Sequence, residues 1–133
     1  MLRIFALLLL CIPQVFAADS LKESDFVGNW TNARPITKGE SNALEITDEY
    51  SVSFTRSFSN QYPDQNFTTG VNGIQFVGDI AVIELHWESG ELAYKLVLSG
   101  WSSSQRRVIF GTMYLYRNGN VFNGLPIGFE TEN

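Results

Sequence analysis

The 133-residue chain carries nine Lys and Arg against 14 Asp and Glu, with one His and one Cys, for a formal net charge of −5. Its length suits one domain, and its acidity disfavours nucleic acid and anionic membranes as partners. One cysteine excludes an internal disulfide.

Arg3 supplies a short positive region, and Ile4 to Cys11 form an apolar run that Pro13 breaks. Val15-Phe16-Ala17 then offers small residues at cleavage distance, so residues 1–17 are predicted to be a secretory signal peptide cut near Ala17 or Ala18. The run is shorter than the roughly 20 residues of a membrane span. Cleavage leaves residues 18–133 as one exported domain, extracellular or, in a Gram-negative bacterium, periplasmic. Cys11 departs with the peptide. Arg3 departs too, leaving eight basic residues against 14 acidic and a net charge near −6.

The remaining chain shows period-two alternation rather than helical periodicity. Strands are predicted at Phe26 to Thr31, Ala43 to Thr47, Tyr50 to Phe58, Gly73 to Val77, Ile80 to Glu88, Leu92 to Trp101, Arg107 to Arg117 and Leu125 to Glu130. Turn signals at Asp48-Glu49, Pro63-Asp64, Gly78-Asp79, Ser89-Gly90 and Asn118-Gly119 separate them. About eight short-linked strands describe an all-β, up-and-down antiparallel barrel, because closure removes exposed edges. In Tyr50 to Phe58 one face carries Tyr50, Val52, Phe54 and Phe58, and Arg56 falls on that same apolar face. Two roles are open to Arg56: stacking on Trp30 to close the barrel, or receiving a carboxylate-bearing ligand.

The three longest strands carry large apolar groups on both faces, such as Ile109, Met113 and Leu115 against Val108, Phe110, Tyr114 and Tyr116. A barrel has one interior, so the surplus predicts subunit association into a homo-oligomer.

Catalytic inventories fare poorly. His86 is flanked by Glu84 and Glu88 on one strand face. At about 3.3 Å per residue those carboxylates stand ~13 Å apart, beyond either glycosidase spacing. No G-x-S-x-G elbow or phosphate-binding glycine loop is present. A non-enzymatic protein with no cofactor and no metal site is expected.

Four segments carry a family resemblance. Gly28-Asn29-Trp30-Thr31-Asn32 resembles the opening G-x-W-x-N of the avidin and streptavidin family, and Phe54-Thr55-Arg56-Ser57-Phe58 is similar to its F-T-G-T-Y. Ile83 to Trp87, followed by Leu98-Ser99-Gly100, and Thr112-Met113-Tyr114-Leu115-Tyr116 resemble its later strands. The resemblance implies a barrel with Gly28 and Trp30 as structural residues and a ligand mouth. Asn32, Arg56, Phe58, Trp87, Leu96, Leu98 and Tyr114 then fall at or beside ligand-facing positions.

The match is partial. Phe58 replaces a hydroxyl donor, the serine position falls near Ile36 or Thr37, and Tyr94, Leu96 and Leu98 stand where the family has polar groups. Weak or lost biotin binding follows. The same aromatics either line a pocket or fill the interior. Two functions are therefore expected: an exported protein holding a small, mostly apolar ligand at the barrel mouth, or an interaction module, such as an inhibitor of a secreted enzyme. In the second, the loops Ser59 to Thr69 or Ser102 to Arg107 carry the contact.

Overall fold

The computed structural model describes residues 19–34, 38–58 and 62–132. The signal-peptide prediction, Ile36 and Thr37 lie outside the described residues. Ten antiparallel strands and one 3-10 turn make up the rest. These are β1 (Asp19–Ser20), the 3-10 turn (Glu23–Phe26), β2 (Gly28–Arg34), β3 (Ser41–Ile46), β4 (Val52–Ser57), β5 (Gln65–Thr68), β6 (Ile74–Val77), β7 (Ile80–His86), β8 (Leu92–Ser102), β9 (Arg106–Arg117) and β10 (Asn120–Glu132).

The strands form one sheet in the order β5-β4-β3-β2-β10-β9-β8-β7-β6, with β1 added at the end of β8. The two ends of that order, β5 and β6, share no ladder, so the sheet is not closed by hydrogen bonds. The all-β antiparallel expectation holds, but the count is ten strands rather than eight. The additional strands are β1 and β5. The sequence hides β5 because its four residues, Gln65-Asn66-Phe67-Thr68, include one buried apolar group, Phe67.

Alternation decides which face is buried. Val52, Phe54 and Arg56 point inward from β4 while Ser53 points to solvent. Trp30, Leu44, Ile83, Leu96, Leu98, Ile109, Met113 and Phe129 join them in one continuous core. Burial of each such side chain contributes about 1.5–3 kcal/mol. Ring contacts cross the enclosed space: Phe54 meets Phe129 edge-on at 6.4 Å. Phe67 on β5 meets Tyr94 on β8 at 5.2 Å, so the sheet curls until its ends approach.

Glycine permits that curl. At Gly111 a β-carbon would overlap the Val97 carbonyl oxygen, and only a residue without one lets β9 cross β8 so tightly.

The lower end, where the 3-10 turn sits, is closed by a second arginine. The Trp30 indole donates to the Phe26 carbonyl at 2.8 Å. The Arg107 guanidinium lies 5.4 Å over the Trp30 ring and donates to the Asp25 and Val27 carbonyls at 2.5 and 3.1 Å. Gly28, at φ +145°, leaves room for that side chain. The arginine over Trp30 is therefore Arg107, and the stacking role expected for Arg56 is corrected. The reason is one of register: Arg56 lies one residue before the end of β4, at the opposite, upper end.

Candidate functional site

The upper end is where β2, β4, β7 and β9 finish and β3, β5, β8 and β10 begin, and the polar side chains inside it form one chain of hydrogen bonds. Arg56 donates through Nε and one terminal nitrogen to both oxygens of Glu40, at 2.9 and 3.0 Å. Its other terminal nitrogen lies 3.2 Å from the Tyr94 hydroxyl, which donates to Gln65 Oε1 at 2.6 Å. The Asn42 amide donates to Glu40 at 2.6 Å. Asn32 donates to Asn42 Oδ1 at 3.1 Å and accepts from the Asn42 backbone N–H.

Among the described residues, no buried side-chain nitrogen or oxygen lacks a partner. The Arg56 ring contacts complete the plug, with Phe58 4.8 Å from the guanidinium carbon and Tyr94 5.7 Å from it. Burial works to lower the Arg56 pKa, but the hydrogen bonds to Glu40 and Tyr94 outweigh it and raise the value, so the guanidinium stays charged.

Arg56 does receive a carboxylate, but from Glu40 of its own chain. Sequence reasoning missed Glu40 and Asn42. Lys38-Gly39-Glu40 reads as loop, and alternation pairs nothing with a residue outside a strand. Asn42 carries the only available signal, a buried position in Ser41–Ile46 with alternating burial.

An aromatic cluster stands beside the plug. Trp87 packs on Phe67 at 5.0 Å and on Tyr94 at 6.1 Å, yet remains 40 % exposed. Two clefts flank it. One, of about 290 Å³, is lined by residues including Trp87, Tyr94, Tyr116, Arg117, Phe122 and Glu91. Arg117 there lies 4.6 Å over the Phe122 ring. The other, of about 760 Å³, runs along Asp64 to Thr68 and His86 to Ser89.

The predicted residues thus separate into three groups. Asn32, Arg56, Phe58 and Trp87 gather at the upper end. Leu96 and Leu98 are fully buried core. Tyr114 points away from both, sharing the outer face with Tyr116 and Phe110 while Met113 faces inward. On that outer face Trp101 and Phe110, both about two-fifths exposed, meet at 5.7 Å with their rings tilted by 42°.

Among the described residues no group of three or more His, Cys, Asp or Glu could hold a metal ion. Family models, curated proteins and solved structures yield no match to this chain.

Proposed function

We propose that this chain is an exported, non-catalytic binding protein with an avidin-like barrel, and that it takes a small, mostly apolar ligand at its upper end. Eight strands, β2 to β5 and β7 to β10, would make the ring, with β5 and β7 meeting at its seam. The observation that carries the reading is Trp87. An indole held by two aromatic neighbours but left 40 % exposed beside a cleft forfeits apolar burial that a ligand would restore. Arg117 and Glu91 give that cleft polar groups to orient a ligand.

Biotin fits poorly. Asn32 is engaged by Asn42, Arg56 by Glu40, and Phe58 offers no hydroxyl. Each unpaired acceptor on a buried polar ligand costs about 1–3 kcal/mol. A nanomolar titration with fluorescent biotin is expected to show no saturable quenching, and tight stoichiometric quenching would overturn this. Native mass spectrometry of protein from its own source is expected to reveal a retained small molecule that Trp87→Ala releases. A bare mass in every preparation refutes the reading.

The buried Arg56–Glu40–Asn42–Tyr94 network favours a second function, an interaction module such as an inhibitor of a secreted enzyme that uses its barrel loops. The outer Trp101–Phe110 face supports self-association, and the same mass spectrum reads the subunit count.

A further inference from the structure

Arg117 is the last residue of β9, on the same strand face as Met113, whose side chain is buried in the core. Alternation therefore brings Arg117 to the inward face at the upper end. The two-residue Asn118-Gly119 turn, with both residues at positive φ, fixes its backbone. On β10 the register slips between Val121, which pairs with Tyr116, and Asn123, which pairs with Leu115. Phe122 is the extra residue of that bulge, and the Arg117 guanidinium lies 4.6 Å from its ring centre. Glu91 ties the opposite wall to this hairpin: its carbonyl accepts the Trp87 N–H at 2.8 Å and its side chain accepts the Asn118 N–H at 2.9 Å. Trp87 and Arg117 are thus held around one cleft of about 290 Å³.

Charge at this cleft is not balanced. Three cations lie over rings that line it: Arg56 over Tyr94, Lys95 over Tyr116 and Arg117 over Phe122. Glu40 pairs with Arg56, and Glu84 pairs with Lys95 at 3.4 Å. Arg117 differs from both, because its side chain makes no hydrogen bond or ion pair among the described residues. Glu91 lines the same cleft but is engaged by Asn118 and forms no ion pair with Arg117. A guanidinium held over a ring still presents N–H groups that match the two oxygens of a carboxylate.

We propose that this cleft takes a small organic acid, with a flat apolar body against the exposed Trp87 indole and its carboxylate paired with Arg117. This acid is the small, mostly apolar ligand of the reading above, on which its assignment rests. Volume limits its size, since the cleft lies at the small end of the ~300–1,000 Å³ of ligand sites. Charge sets its class: an acid supplies the partner that Arg117 lacks, and a neutral molecule of the same shape does not.

The probes are naphthoate and its neutral counterpart naphthamide, titrated into isotope-labelled protein while NMR follows the indole N–H signals of Trp30, Trp87 and Trp101. Trp30 at the lower end and Trp101 on the outer face serve as controls. Only the Trp87 signal is expected to shift, and naphthoate is expected to bind about tenfold more tightly than naphthamide. Arg117 and Glu91 are exposed, so substitution there spares the core. In Arg117→Gln the two probes are expected to bind alike. Glu91→Gln keeps an acceptor for Asn118 but drops the negative charge, and is expected to bind naphthoate about twofold more tightly. Equal binding of both probes by the wild type overturns the acid and leaves the apolar-ligand reading standing. A preference for naphthoate that survives in Arg117→Gln overturns Arg117 as its partner. No shift of Trp87 at millimolar probe also overturns the acid, and the mass spectrum of the source protein then decides the reading beneath it.

Discussion

Replacing Glu40 with Ala tests whether the polar plug is one unit. The Glu40 side chain is 1 % exposed and that of Arg56 9 % exposed, so deleting the carboxylate strands a buried guanidinium. It removes both Arg56–Glu40 bonds and the Asn42–Glu40 bond, leaving Arg56 only the Tyr94 hydroxyl among its hydrogen-bond partners. Breaking a buried pair from one side costs about 3–5 kcal/mol. That is a large share of the ~5–15 kcal/mol that holds a domain folded.

With an m-value of about 1–3 kcal/mol per molar urea, the midpoint is expected to fall by more than ~1 M. The partner experiment is Arg56→Met in the Glu40→Leu background, which removes both charges and keeps apolar bulk. Such replacements are often neutral or better, so the double variant is expected to recover at least about 2 kcal/mol relative to the two single costs added together. Urea unfolding of wild type, Glu40→Leu, Arg56→Met and the double variant, followed by circular dichroism, completes the cycle, with Glu40→Ala measured beside them. A Glu40→Ala cost below about 1 kcal/mol, or strict additivity, would refute the reasoning.

Other perturbations are equally direct. Gly111→Ala places a methyl group against the Val97 backbone, and a loss of about 1–3 kcal/mol or more is expected in the same urea assay. Arg107→Ala removes the guanidinium from Trp30 and two bonds to the 3-10 turn; faster amide exchange around Glu23–Phe26 is expected, with the upper end unchanged. Lys95 has its pKa raised chiefly by hydrogen bonding to Tyr116, against an opposing desolvation, with Glu84 adding a lesser rise. A raised folded-state value means that its contribution is whole below the ordinary lysine value of 10.5 and fades as pH rises through the folded one. The stability difference between wild type and Lys95→Ala is therefore expected to stay flat from pH 6 to about 10 and shrink above it.

Much of the fold is legible along the chain because strand alternation is a local property. Val52, Phe54 and Arg56 share a face by spacing alone, and turn chemistry at Asn118-Gly119 places the hairpin of β9 and β10 without any tertiary information. The candidate site was legible only in part. Asn32, Phe58 and Trp87 were visible as residues at strand ends, but what satisfies them comes from elsewhere in the chain: Asn42 on the next strand for Asn32, Phe67 on a strand that reads as loop for Trp87.

The sequence by itself determined the all-β antiparallel class, the inward place of Arg56 and the outward place of His86, because each follows from a period of two. Only the tertiary structure decided that Arg56 meets Glu40 while Arg107 meets Trp30, that Tyr114 faces away from the upper end, and that β5 and β7 approach without pairing. Those outcomes depend on how far the sheet curls and which strand ends it brings together, and a repeat of two residues carries no information about curvature.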